Sequence, residues 1–362
     1  MRNSEILKEM LNQMEENHIN LYHDVTKQEI EQYVSSLNLD SLNNVEFDYV
    51  MLKLFNKFKD AHTSYFVPFK YFNKKLFYID NKLYIKDSNQ FYEVVAIGNM
   101  PISEFILKLT EMLNYETQEY LCDSIRASAN NRYFYEMLGL CCDGEVEFSV
   151  KDNNSIRTIK ASSVSLEEYK QLGLTKNSPF YSYKILNEDV VYIKYRKCVE
   201  HEDYKFSQFV EELKNIIETN KLSKYVLDLR DNHGGNSSII HPLIDLIKEQ
   251  GLNGILIIDN GVFSSGRWAI ADFKKNFNVK TVGEPTGGAA TSYGYNKNLQ
   301  VEDKRFSVSI RFWDFSDVFG TSGTIKPDIY VPFTFADLKN GTDSQLERAI
   351  LELNKEHNCL TN

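Results

Sequence analysis

Val226-Leu227-Asp228-Leu229-Arg230-Asp231-Asn232-His233-Gly234-Gly235 reads as a buried strand running out into a glycine loop. From Tyr225 to Leu229 the chain is apolar at all but one position, the pattern of a strand covered on both faces. In open α/β sheets ligands collect at the carboxyl ends of the strands, where this loop lies. Two adjacent glycines can take backbone angles that aim N–H groups at one point, as an oxyanion site requires. A glycine turn serving only a tight crossover explains the same letters.

Outward from this stretch the pattern repeats. Val190-Val191-Tyr192-Ile193 is a strand, Phe206 to Ile217 an amphipathic helix, and Ser237 to Lys248 another helix. Gly254 to Ile258 is a strand, Ser265 to Lys275 a helix, Val279 to Val282 a strand, and Ser344 to Glu356 a closing helix. Such alternation predicts a mostly parallel sheet with helical cover. Residues 1–60 read as helical. Phe47, Val50, Met51, Leu54 and Phe55 fall on one helix face. From 66 to 100 short aromatic strands alternate with Asp-Asn and Ser-Asn turns. Residues 103–140 read as helical, and Glu145–Val150 with Ile156–Ile159 as a hairpin around Asp152-Asn153-Asn154. We expect three parts: a helical segment over 1–70, a small α+β cap over 71–180, and an α/β domain over 181–362.

The chain has 362 residues, 42% hydrophobic and 25% charged, which are ordinary globular values. Its formal charge of −10 argues against a nucleic acid or an anionic membrane as partner. The first ten residues hold no uninterrupted apolar run, so a secretory signal is not expected. No stretch approaches the roughly 20 apolar residues that span a bilayer. Cys122, Cys141, Cys142, Cys198 and Cys359 are odd in number and match neither a zinc site nor a disulfide framework. Reduced cysteines in a cytoplasmic protein are the expectation.

Two further pieces carry chemistry. Phe263-Ser264-Ser265-Gly266 leaves a strand and opens a helix. A serine there meets unpaired N–H groups that favour developing negative charge, although Ser264 or Ser265 could equally be a plain helix cap. Asp60-Ala61-His62-Thr63 follows the apolar helix and offers His62 as a general base. His233, inside the glycine loop, competes for that role, while His201 and His241 have no supporting context.

Taken in order, the pieces resemble the tail-specific, or C-terminal processing, protease family. The resemblance rests on the 226–235 segment, on Phe263–Gly266, and on Val282-Gly283-Glu284-Pro285-Thr286-Gly287-Gly288. It continues in Lys326-Pro327-Asp328-Ile329-Tyr330-Val331 and in the closing Gly341-Thr342-Asp343-Ser344-Gln345-Leu346 helix start. It implies an α/β fold with a spiral catalytic domain of the crotonase and Clp-protease type. Val94 to Ile102 is similar to the family's PDZ-type segment, so the cap reads as a degenerate PDZ-like domain. The resemblance maps the nucleophile to Ser265 and the oxyanion donors to the N–H groups of Gly266 and of Gly234 or Gly235.

One departure sets the branch. Members with a Ser–Lys dyad carry lysine just after the Val-Gly-Glu stretch, whereas this chain has Ala289, Ala290 and Thr291. The branch that uses a histidine has a segment similar to Asp60–Thr63, which implies His62 as the base. That branch's orienting glutamate falls in a region that here reads Thr321-Ser322-Gly323-Thr324, leaving Asp317, then Asp314, as the nearest carboxylates. The expected protein is a serine endopeptidase acting on peptide or unfolded-protein substrates, with no metal or cofactor and with self-association left open. A non-catalytic binding protein on the same fold is the rival, and a small-molecule esterase a second one.

Overall fold

The computed structural model describes residues 1–175 and 178–360, with side chains as far as Lys355. The chain forms two compact units, Met1–Lys176 with Ser292–Trp313, and Asn177–Thr291 with Asp314–Asn362. One apolar cluster runs across residue 70. Phe47, Met51, Phe55 and Phe58 pack with Leu76, Val94, Phe105 and Phe148 in a single cluster.

In the first unit, helices Asn3–Asn17, Lys27–Ser35 and Asn44–Asn56 precede an antiparallel sheet. The strands Lys75–Ile79, Lys82–Asp87 and Gln90–Ile97 form its meander, as their turn residues predict. Helices Ile102–Met112, Gln118–Ser128 and Arg132–Met137 follow. The hairpin Glu145–Asp152 with Ser155–Val164 forms at the expected turn, where Asn153 takes φ 53°. A second antiparallel pair, Thr291–Val301 and Lys304–Asp314, is joined by the short strand Tyr65–Phe66. A buried polar knot pins it in place. Asp48 accepts from Lys304 Nζ at 3.1 Å, from Tyr65 OH at 2.5 Å and from Tyr133 OH at 2.7 Å. A buried carboxylate persists only when satisfied this way. The knot fixes the chain three residues beyond His62.

The second unit is built on a six-stranded sheet. Its order is Tyr181–Ile185, Val190–Tyr195, Lys224–Asp228, Asn253–Ile258, Lys280–Gly283 and Ile329–Tyr330. Only the first pair is antiparallel. Successive side chains go to opposite faces. Tyr225, Leu227 and Leu229 join the cluster of helices Phe206–Asn220, His241–Gln250 and Ser265–Asn276, while Val226 meets Ala349 and Leu353 of helix Ser344–Leu360. Both faces are covered, which is why the strand at 224–228 is buried throughout. Among the described residues no helix is long and apolar enough to cross a membrane. Among the described residues Cys122, Cys141, Cys142 and Cys198 form no disulfide, and the Cys359 side chain lies outside the described residues.

Candidate active site

The loop leaving strand Lys224–Asp228 is anchored at both ends. Burial pushes the Asp228 carboxyl up, but the charges of Lys194 and Arg230 more than reverse this and hold it well below the usual range. Arg230 also forks onto both oxygens of Asp343 at 2.8 Å and reaches Gln345 Oε1 at 3.0 Å. The arginine thus fastens the loop to the start of the closing helix, a bidentate geometry that lysine does not offer.

Beyond Arg230, Asn232 organises the turn and is fully buried. Its Nδ2 donates to Tyr195 O at 2.8 Å, and its Oδ1 accepts from Gly234 N at 2.9 Å. Its carbonyl accepts from Phe263 N at 3.0 Å, joining the glycine loop to the serine turn. Gly234 and Gly235 have φ +96° and +134°. A Cβ on Gly234 would stand 2.6 Å from Ser265 N, and one on Gly235 would stand 2.2 Å from Cys198 O. Both positions therefore require glycine, for backbone angle and for space.

The two serines of the turn stand in different settings. Ser265 is the first residue of helix Ser265–Asn276 and is buried, and its Oγ donates to Gly235 O at 2.6 Å. Its hydroxyl holds the glycine loop against the helix start. Ser264 stands just ahead at φ 50°, ψ −126°, a strained conformation for a residue with a side chain. Its hydroxyl makes no capping bond although it occupies the cap position, and it is half-exposed. A serine held at positive φ on a sharp strand-to-helix turn is the geometry of a nucleophile elbow. Arg267, buried behind it, donates through Nε to Ser264 O at 3.2 Å and through Nη1 to Ala289 O. This guanidinium ties the Ser264 turn to the segment at Ala289.

Gly234 N–H is taken by Asn232 Oδ1 and Gly266 N–H by Phe263 O at 2.9 Å. The N–H groups of Gly235 and Ser265 have no acceptor among the described residues.

In the first unit His62 sits in a tight turn. Thr63 N–H donates to Asp60 O, and Asp60 Oδ1 accepts His62 N–H at 3.0 Å. Asp60 Oδ2 accepts from Thr63 Oγ1 at 2.7 Å and pairs with His18 Nε2 at 2.9 Å. Asn20 N–H donates to His18 Nδ1 at 2.9 Å, so the His18 proton is on Nε2 and points at Asp60. Burial raises the Asp60 pKa, but the His18 hydrogen bond, the His62 charge, Ser309 and Thr63 outweigh it and lower it to about 2. Ser307 Oγ donates to His62 O at 2.8 Å, tying the turn to strand Lys304–Asp314. Gly294 on strand Thr291–Val301 lies against the imidazole, where a Cβ would stand 3.4 Å from Cε1.

Glu116 completes this cluster: one donor atom each from Asp60, His62 and Glu116 lies within 4.8 Å of the others. It is the one grouping of histidine, cysteine and carboxylate side chains among the described residues close enough to share a cation. Asp60 already spends both oxygens on protein donors, which favours proton chemistry over metal ligation. Asp317 and Asp314 are exposed in the second unit. Asp314 Oδ1 accepts Ser316 N–H at 2.8 Å and is a turn residue. His233 is exposed, near Asp231 O. The Thr321–Thr324 stretch bonds to the 286–291 segment through Ala290 N to Gly323 O and Thr291 N to Ser322 O. Glu116 and Asn232 take positions here that the sequence reading did not single out. Asn232 stood inside the quoted segment, but nothing local marks its amide as buried. Glu116 lies far along the chain from His62, and no periodicity joins them.

Comparison with known proteins gives a local family match and a fold. The profile of peptidase family S41 matches residues 189–254, across the strand and glycine loop described above. No match was found among curated proteins. Mature CPAF complexed with lactacystin superposes with a TM-score of 0.64 at 11% identity, covering 99% of this chain and 98% of that one. A peptidase from Parabacteroides merdae gives 0.52 at 14% identity, covering 98% and 97%. The photosystem II D1 C-terminal processing protease gives 0.50 at 9% identity, covering 92% and 94%. The mixed α/β fold expected from the sequence is the fold of these proteases.

Proposed function

We propose that the chain is a serine peptidase of family S41, whose profile matches residues 189–254, and that Ser264 attacks the peptide bond with His62 as the base. The observation that carries this reading is the uncapped Ser264 hydroxyl at φ 50°, beside the glycine pair. Sequence reading alone had favoured Ser265, whose hydroxyl is committed to Gly235 O.

In the proposed reaction, Ser264 Oγ forms a bond to the substrate carbonyl carbon while its proton passes to His62. The carbonyl oxygen becomes an oxyanion, held by the N–H groups of Ser265 and Gly235. Donors fixed beforehand cost no reorganisation when the charge develops. The C–N bond then breaks, and the departing nitrogen takes the proton from the imidazolium. Water, deprotonated by His62, attacks the remaining ester, releasing the acid and restoring the serine hydroxyl. The substrate class is a peptide or an unfolded protein chain.

The test is labelling with a fluorophosphonate, followed by peptide mapping and cleavage assays on an unfolded protein. The expected adduct is on Ser264. It is lost in Ser264→Ala and His62→Ala and kept in Ser265→Ala, and cleavage follows the same pattern. An adduct on Ser265 would restore the assignment drawn from sequence. No adduct on folded protein, together with tight peptide binding, would favour the non-catalytic reading.

A further inference from the structure

We propose that Glu116 is the carboxylate that positions the His62 imidazole, in place of the acid that sequence comparison seeks near residues 314–324. The proposal rests on the Ser264–His62 reading for its catalytic meaning, but the pairing itself is a separate statement.

Three observations carry it. The first is proximity, since a carboxylate oxygen of Glu116 lies within 4.8 Å of a His62 ring nitrogen. The second is the way the loop that carries Glu116 is fastened. This loop joins helices Ile102–Met112 and Gln118–Ser128. Asn114 Nδ2 donates to both Asp60 O and Thr63 O, the two carbonyls that bracket His62. On the other side Thr117 caps the next helix by accepting from Tyr120 N–H at 3.0 Å. Glu116 is therefore held between two fixed residues.

The third observation is the occupation of Asp60. It is the nearer carboxylate in sequence, but it accepts from His18 Nε2, His62 N and Thr63 Oγ1, each at 3.0 Å or less. A carboxylate has about four lone-pair sites, and these donors shape the turn. Asp60 thus sets where His62 stands, and Glu116 is left to meet the ring. The titratable groups around the imidazole are Asp60 on its own turn, His18 behind Asp60, and Glu116 and Tyr120 from the neighbouring loop and helix. A carboxylate beside the ring fixes its tautomer and stabilises the imidazolium formed during attack.

The experiment uses the full chain labelled with ¹³C-histidine. The His62 Cε1 resonance, assigned by its loss in His62→Ala, is titrated in wild type, Glu116→Gln and Glu116→Asp. Circular dichroism confirms that each variant is folded. Removing a neighbouring negative charge must lower the histidine midpoint, so Glu116→Gln is expected to shift it down by about one pH unit, with Glu116→Asp recovering part of the shift. Fluorophosphonate labelling is run in parallel at neutral pH. Glu116→Gln is expected to slow it at least about 10-fold, and Asp317→Asn to leave it unchanged. An unchanged midpoint in folded Glu116→Gln would overturn the pairing, and so would a labelling loss that follows Asp317→Asn instead. A shifted midpoint in a wild type that never labels would sustain the pairing and refute the peptidase reading, so the two failures are distinct.

Discussion

The Oδ1 of Asn232 accepts the Gly234 N–H at 2.9 Å while its Nδ2 donates to Tyr195 O at 2.8 Å, so one buried amide couples the glycine loop to the neighbouring strand. Its carbonyl adds the bond from Phe263 N–H. The shape of the glycine loop therefore depends on a fully buried side chain.

Asn232→Ala is expected to cost about 2–3 kcal/mol, because it leaves a buried carbonyl and a buried N–H without partners. Urea denaturation measures this directly. Asn232→Asp should lose as much, since a carboxylate has no hydrogen to give Tyr195 O and adds an unpaired buried charge. A variant as stable as wild type would remove Asn232 from the account of the loop.

Ser264→Gly should separate stability from activity. Holding a side chain at φ 50°, ψ −126° costs roughly 1–3 kcal/mol, and glycine escapes most of that strain. The substitution removes the hydroxyl as well. The expected product is a protein that does not label with fluorophosphonate yet melts higher than Ser264→Ala. Equal melting temperatures for the two variants would show that the elbow stores no strain.

Asp60 gives a pH dependence with a defined sign. Its folded pKa of about 2 lies below the ordinary value of 3.8. The contribution, ~2 kcal/mol, is therefore fully present above about pH 4 and is lost as pH falls toward about 2. Asp60→Asn should be less stable at neutral pH and should show a flatter decline across that acid range. Thermal melts of both proteins from neutral pH to about pH 2 check this, and parallel declines would contradict it.

The cysteines should separate by reactivity. Burial raises the Cys198 thiol to about 11, against smaller opposing effects from Tyr195 and Asn232. Cys142 is exposed. A maleimide at mildly alkaline pH should modify Cys142 readily and leave Cys198 intact until the protein is unfolded. Mass mapping of the modified peptides reads the order.

The strands near 190–193, 225–229, 254–258 and 279–282 and the helices near 206–217, 265–275 and 344–356 were legible in the sequence, since apolar runs and amphipathic spacing respond to burial over a few neighbouring residues, whereas the edge strands Tyr181–Ile185 and Ile329–Tyr330 were not. The sequence by itself also determined the short list of chemical groups: a serine pair opening a helix, a glycine pair after a buried strand, and a histidine behind an apolar helix. It did not reveal that residues 1–176 and 292–313 share one unit, because strand Lys304–Asp314 pairs with Tyr65 across most of the chain. The resemblance maps the nucleophile to Ser265, and the proposal of Ser264 in its place rests on one backbone angle and on a bond from Ser265 Oγ to Gly235 O, both set by packing of the glycine loop on the helix start. Glu116 beside His62 is a product of the tertiary structure alone, since Asn114 anchors its loop to a turn 54 residues earlier in the chain. Local patterns record which face of an element is buried. The chemistry of a site depends on which distant side chains burial brings within hydrogen-bonding reach, and only the folded chain fixes that.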